Sequence, residues 1–300
     1  MPNDARPSTE ARPTFDYLIV VADPDPVASA VAGEWGTPPT TGSRVGDAPI
    51  RQLSEHAGLV RRAELHIQDD LLGAQLPPEL RSAHLPLVFP SVHRSESGTP
   101  TVTVHPLGNP GPTADVGGRP RSLVATAPRL QTHTLRRIAE VGPAQGFGAT
   151  FEATHHGPYL ENPAFFVEIG IRDEEPPPDA LVKAYARILP DLHEDPTDRI
   201  ALGVGGGHYA PRFTDLALRR RWAFGHILSR HGLAMMTEAT AHEAVRRTPG
   251  AEGILFHRVE DERTALFRSI GPHLRETDAE LRNGAGDRIS RSSSSPPSGT

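Results

Sequence analysis

Two adjacent histidines close an acidic, apolar stretch in FEATHHGPYL (151–160). If that stretch is extended, the two-residue period puts Phe151, Ala153 and His155 on one face and Glu152, Thr154 and His156 on the other. Gly157-Pro158 then ends the strand in a turn, so either imidazole can stand at a rim, where it can bind a metal or move a proton. In AFFVEIG (164–170), Phe165, Val167 and Ile169 form one apolar face and Glu168 lies on the other, beside Phe166 and Gly170. A carboxylate in such a run must have its pKa raised or be held by a cation, because an unpaired buried charge is costly. IALGVGGGHYAPR (200–212) drives an apolar strand into Gly205, Gly206 and Gly207 and then delivers His208. Three glycines let the backbone turn sharply and bring its N–H groups close to a phosphate, ribose or oxyanion. In LPLVFPSVHRSESGTPTVTVHPLGNP (85–110), His93 and His105 flank a hairpin-like excursion with a turn at Ser97-Gly98, followed by Gly108-Asn109-Pro110. Each feature alone also fits a blander reading: a hydrogen-bonded core histidine, a solvated edge glutamate or an exposed loop.

The chemistry these residues share is that of a metal-bound or histidine-activated water. The 300 residues include 15 His and no Cys, so any transition metal must be held by His, Asp or Glu. That ligand set suits zinc with an open, catalytic coordination position better than a structural zinc knot. No GxSxG elbow, HExxH, Walker A or GxGxxG pattern is present, which removes the usual signatures of serine hydrolases, zincins, P-loop enzymes and dinucleotide binders. Absence of cysteine also removes a disulfide framework. The opening MPNDARPSTEARPTF is no secretory signal, and no run approaches the roughly 20 apolar residues of a membrane span, so the chain reads as soluble and cytoplasmic.

Net charge is −6, but Lys183 is the only lysine and the arginines gather at Arg119/Arg121, Arg136/Arg137 and Arg219–Arg221. Guanidinium forks suit bidentate phosphate contacts, so a nucleic-acid partner is compatible with the acidic total; solvated helix faces explain any one cluster equally well.

Positioning these residues requires strands that end in loops. Strand-like segments recur at 15–22, 65–67, 85–89, 101–104, 149–154, 165–169, 200–204 and 254–257. Helical patterns alternate with several of them, at about 127–141, 179–189, 213–223, 238–247 and 260–270, and Asp25-Pro26 opens a further helix that Gly36 closes. Alternation of this kind predicts an α/β fold, a mixed sheet with helices on both faces, and in such sheets ligands gather where strands end. Residues 1–13 and the Ser/Pro-rich 284–300 offer too little apolar surface to order and are expected to be disordered tails around a folded unit at 14–283.

Taken together, FEATHHGP, FFVEIG, GGGHYAPRFT, FGHI (224–227), HRSESG (93–98) and GGRPRSL (117–123) resemble the archaeal and plant-type D-aminoacyl-tRNA deacylase family, in the family's order. The resemblance implies a zinc-dependent hydrolase that cleaves the ester between a D-amino acid and the tRNA 3′ end. It also implies an α/β core like that of nucleoside phosphorylases and bacterial peptidyl-tRNA hydrolase, with a second α/β lobe. Two places depart from the pattern: Ile171 stands where the family has Ser or Thr, and Leu228-Ser229-Arg230 follows FGHI in place of Pro-Lys. On this reading His155 and His208 are the expected metal ligands, Glu168 a third ligand or general base, and His156 or His93 the group that orients or shuttles a proton. Gly205–Gly207 would face the oxyanion or the terminal ribose, with Asn109, Arg119 and Arg121 contacting the tRNA substrate. The rivals are a peptidyl-tRNA hydrolase-like or nucleoside phosphorylase-like enzyme and a non-catalytic tRNA-binding module.

Overall fold

The computed structural model describes residues 14–94, 98–172, 175–259, 266–267, 270 and 275–276. Both expected tails, Ser97 of the expected turn and most of the expected 260–270 helix lie outside the described residues.

The chain opens with β1 (Tyr17–Ala22), whose six residues YLIVVA are all buried, the composition of a strand covered on both faces. Asp25 then caps α1 (Pro26–Glu34), its Oδ1 accepting from the amides of Val27 and Ala28 at 2.9 and 2.8 Å. Strands β2 (Thr40–Val45), β3 (Ala48–Gln52) and β4 (Ala57–Arg62) follow, then short helices α2 (Leu72–Gln75) and α3 (Pro78–Ser82). Next come β5 (Leu87–His93), β6 (Thr101–Pro106), the small pair β7 (Gly108–Asn109) and β8 (Ser122–Leu123), α4 (Pro128–Val141), β9 (Gly148–Phe151) and β10 (Ala164–Gly170). The remainder is α5 (Asp179–Ile188), β11 (Arg199–Gly205), α6 (Pro211–Arg219), β12 (Trp222–Leu228), α7 (Arg230–Met235), α8 (Glu238–Arg246), β13 (Gly253–His257) and β14 (Arg275–Glu276).

The expected α/β fold is what these elements build. A mixed eight-stranded sheet runs β2-β3-β4-β1-β5-β10-β6-β9, and a four-stranded parallel sheet runs β12-β11-β13-β14. In the large sheet β4, β1, β5 and β10 are parallel, so their carboxyl ends open on one edge. Residues of β10 alternate as their sequence implies: Phe165, Val167 and Ile169 join one apolar cluster and Ala164 and Phe166 the other. The second sheet has its own core around Leu202, Val204, Leu228 and Ile254. Helix α4 bolts the sheets together: Gln131 Nε2 donates to the carbonyl of Gly225 at 2.9 Å, and Thr132 Oγ1 accepts from Phe224 N at 3.1 Å. Among the described residues no helix is long and apolar enough to cross a membrane.

Three sequence expectations need correction. Leu65–Ile67 is no strand, because Leu65 precedes and His66 and Ile67 open a single 3-10 turn at His66–Gln68. The helix expected over 213–223 stops at Arg219, and the buried run from Trp222 to Leu228 is a strand paired with β11. The strand expected to reach Thr154 ends at Phe151, since beyond it the chain leaves the pairing with β6 and turns toward the second sheet.

Candidate metal and catalytic centre

One face of the large sheet, toward the carboxyl ends of β5 and β10, gathers side chains from three strands. His93 is the last residue of β5; Glu168 sits on β10 between Ser91 of β5 and Thr103 of β6; His105 stands opposite Phe166. Asp25 braces this edge as well as capping α1, its Oδ2 accepting from Ser91 Oγ at 2.9 Å and Val92 N at 3.0 Å. The segment after β9 is then pulled across by the second sheet. Thr154 N donates to Ile227 O at 2.7 Å, Ala153 N donates to His208 O at 2.8 Å, and Glu152 bridges to Tyr209. His226, the histidine of FGHI, lies fully buried beneath it with Nδ1 3.0 Å from Thr154 Oγ1. The glycines at 205–207 make that crossing possible. Gly205 has φ +108° and Gly206 φ +80°, and a Cβ at Gly205 would fall 2.1 Å from the carbonyl oxygen of His257.

This clamp reverses one expectation. His155 and His156 do not face opposite ways: their ring centroids are 4.4 Å apart and both rings pack on His105, at 4.1 and 4.8 Å. The two-residue alternation does not apply because the strand has already ended, and His156 takes a left-handed φ of +41°. A Cβ at Gly157 would lie 2.2 Å from Gly118 N, so the turn after the pair is locked against the 117–118 loop.

Hydrogen bonds fix the tautomers. His155 Nδ1 lies 2.8 Å from Ala153 O, His156 Nδ1 2.7 Å from Gly157 O, and His105 Nδ1 3.2 Å from Pro106 O. A carbonyl only accepts, so each Nδ1 carries a proton, and in the neutral form of each ring Nε2 is the potential ligand atom. Burial, followed by the charge of His105, pushes His156 down to about 4, and burial with the neighbouring His105, His156 and His208 holds His155 well below the ordinary range. Both are therefore neutral near pH 7.

Glu152 lies in their midst. It is fully buried, and neither carboxylate oxygen has a hydrogen-bond partner. His208 Nε2 is 3.1 Å and His155 Nε2 3.6 Å from its Oε2, and His93 Nδ1 is 3.3 Å from its Oε1. One ligand atom from each of His105, His155 and His156 lies within 4.8 Å of the others, as does a second set of His93, Glu152 and His208, and a third of His105, Glu152 and Glu168.

Glu168 is satisfied differently. His93 Nδ1 donates to its Oε2 at 3.0 Å, and His93 Nε2 meets Tyr209 Oη at 3.1 Å, giving a carboxylate–imidazole–phenol chain. Burial alone would raise the Glu168 pKa, but the charge of His105 and the bond from His93 outweigh it and hold the group ionised, well below the usual carboxylate range. Burial likewise opposes an imidazolium at His93, yet Glu168 and Glu152 together raise its pKa. The expected alternative of a raised Glu168 is thus replaced by its partner, a cation supplied by histidine.

Part of this cluster opens into a cleft of about 440 Å³ whose walls include Asp25, His66, His93, His155, His156, Glu168 and His208. Of the residues singled out from sequence, His93, His155, His156, Glu168 and His208 converge there, with Gly205–Gly207 forming the turn that delivers His208. Asn109, Arg119 and Arg121 do not line it. Asn109 Nδ2 donates to Gly117 O at 2.9 Å, Arg119 lies over the Tyr159 ring at 4.0 Å, and Arg121 is exposed on the same loop. The other arginine clusters are largely engaged: Arg136 pairs with Asp198, Arg219 with Asp215 and Arg221 with Asp195. Sequence reasoning left Glu152, His105 and Tyr209 out of the site. His105 in TVTVH and Glu152 three residues before His155 were visible signals, but nothing local says that they meet.

The D-aminoacyl-tRNA deacylase family model matches residues 82–272. Among similar curated proteins, one named D-aminoacyl-tRNA deacylase from Thermoplasma acidophilum is 39% identical over 174 residues, covering 57% of this chain and 67% of that protein. Another of that name, from Methanoregula boonei, is 44% identical over 145 residues, covering 48% of this chain and 32% of that protein. A solved structure described as a conserved protein of unknown function superposes with a TM-score of 0.74 at 27% identity, covering 85% of this chain and 92% of that one. Matched by the family model over more than half its length, the chain belongs to the D-aminoacyl-tRNA deacylase family.

Proposed function

We propose that this chain hydrolyses the ester joining a D-amino acid to the terminal ribose of tRNA, releasing both, at a zinc centre built from the clustered histidines and Glu152. The observation that supports a cation here is the packing of acceptor against acceptor. His155 carries its proton on Nδ1, so its Nε2 lone pair faces the Glu152 carboxylate at 3.6 Å, and both Glu152 oxygens are buried without a donor. A bound cation is what such an arrangement lacks, because an unpaired buried carboxylate is costly. An all-nitrogen and carboxylate donor set of this kind suits zinc. His105, His155 and His156 would hold the ion, with Glu152 beside His155 and His208 to compensate its charge. Zinc bound there supplies a water whose pKa falls toward about 7.

The remaining residues orient and move protons. Glu168, held ionised, keeps His93 in one tautomer and favours its charged form. His93 can then hand a proton through Tyr209 Oη to the departing ribose oxygen. The N–H groups of the Gly205–Gly207 turn, which immediately precedes His208, would face the oxyanion or the ribose. Arg119 and Arg121, exposed on the loop whose Gly118 packs against Gly157, would contact tRNA phosphates. Because the centre draws on both sheets, residues 14–283 would act as one two-lobed unit, and its substrate places it in the cytoplasm. Single-turnover assays with one tRNA charged with a D- or an L-amino acid test the reading: rapid release of the D form only is expected, and equal rates contradict it.

A further inference from the structure

We propose that a second cavity, beside the zinc centre, binds a nucleotide of the unpaired tRNA 3′ strand whose base carries an exocyclic amino group, cytidine or adenosine. The inference rests on the proposed function for the identity of the strand; the pocket's chemistry is read independently. The cavity is about 280 Å³ and its walls include Arg81, His84, Arg119, Tyr159 and Glu161. That volume is at the lower end for small-molecule pockets, enough for one base and its sugar.

Three features point to a nucleotide. The first is a stacking ledge: the Arg119 guanidinium lies 4.0 Å over the Tyr159 ring, and single-stranded nucleic acids are held by aromatic rings and by guanidinium planes. The ring is braced, since Tyr159 Oη donates to Glu161 Oε1 at 2.6 Å and Arg247 reaches both residues at 3.2 and 3.0 Å. The second is an acceptor. The Glu161 side chain is 69% exposed and ionised, its pKa lowered chiefly by Tyr159, and each oxygen retains lone-pair capacity. A carboxylate repels phosphate but accepts from the exocyclic amine of a base, as acidic side chains do from cytosine N4. The third is a cation for the phosphate. Arg81 is exposed at the end of α3, with His84 beside it on the pocket wall, and buried Asn162 braces that end by donating to the carbonyls of Leu80 and Leu85 at 2.9 and 3.0 Å.

The spacing fits the strand. Tyr159 follows His156 by three residues, a Cα separation of at most about 11 Å, which a stacked strand covers in about three nucleotides at ~3.4 Å each. The ledge therefore suits a nucleotide on the 5′ side of the terminal one, whose ester lies at the zinc centre.

Fluorescence anisotropy with the full chain tests this, using two uncharged ribotetranucleotides: one ending CCA, and tetrauridine, which has equal charge but no exocyclic amine. The CCA probe should bind on the order of tenfold more tightly. Tyr159→Ala and Glu161→Ala should abolish that preference. Arg81→Gln, at an exposed position, should weaken both probes and flatten their salt dependence. Equal binding of the two probes by the wild-type chain, or a preference that survives the Tyr159 and Glu161 changes, overturns the proposal. A chain that keeps the base preference but never hydrolyses D-aminoacyl-tRNA upholds the pocket and sinks the proposed function; hydrolysis without base preference does the reverse.

Discussion

Replacing Glu152 with Gln should change the stability of this protein in opposite directions depending on whether metal is bound. The substitution keeps shape and removes one charge from a fully buried group surrounded by three imidazole nitrogens at 3.1, 3.3 and 3.6 Å. In metal-free protein neither Glu152 oxygen has a hydrogen-bond partner, so the native carboxyl group is buried without compensation. Leaving such a group unpaired costs about 1–3 kcal/mol, and more for a charge. Relief of about 2 kcal/mol, at ~2–4 °C per kcal/mol for a chain of this order of size, raises Tm by about 4–8 °C. With zinc bound the sign inverts, since removing one partner of a buried charge pair costs about 3–5 kcal/mol and weakens ion binding besides. Scanning calorimetry of wild type and variant, each with chelator and with zinc, gives four Tm values. A Glu152→Gln change that lowers Tm by the same amount in both conditions would refute the reasoning, because Glu152 would then be an ordinary hydrogen-bonded core residue.

Tyr209→Phe should cut single-turnover deacylation by on the order of 10²-fold with zinc content unchanged, since it removes only the hydroxyl on His93 Nε2; loss of zinc would place Tyr209 in the ligand shell instead. Arg119→Ala with Arg121→Ala should raise the Michaelis constant for tRNA and lower its salt slope by about one per lost phosphate contact, leaving the saturated rate nearly intact. His226 is fully buried and pushed down to about 3, so the unfolded chain binds a proton that the folded chain refuses between roughly pH 6.5 and 3. Stability from this group is whole above pH 6.5 and is lost as pH falls toward 3, at about 1.4 kcal/mol per pH unit. His226→Asn, which can still bond Thr154, should flatten that acid limb in denaturant titrations; an unchanged slope would show that His226 does not titrate on unfolding.

Several strands of the large sheet were legible, because buried runs such as Tyr17–Ala22 and Phe165–Ile169 have few other structures open to them, though their order in the sheet was not. The capping of α1 by Asp25 was legible too, but not its second role at the β5 edge, which joins residues 66 positions apart. The strands Thr40–Val45, Ala48–Gln52 and Ala57–Arg62 at one end of that sheet escaped notice, as the first two are half exposed and the third breaks its apolar run with arginines. The strand at Trp222–Leu228 was hidden because its first residues continue the helical pattern of Phe213–Ala217. At the site, residue chemistry found five groups of the cleft. It missed Glu152 as the hub, since only the pull of the second sheet on Ala153 and Thr154 turns Glu152 toward His155 and His208. Facing rules assume that a strand continues, and here it stops one residue before Glu152.

The account stands on a cation held by this histidine and glutamate cluster as the agent of hydrolysis. The most direct measurement is single-turnover release of a D-amino acid from tRNA by chelator-treated protein, with residual metal determined by elemental analysis, as zinc is titrated back. Activity should be negligible without metal and rise in proportion to bound zinc, and Glu152→Gln and His155→Ala should fail to regain either. Full activity in protein verified to be metal-free would contradict it.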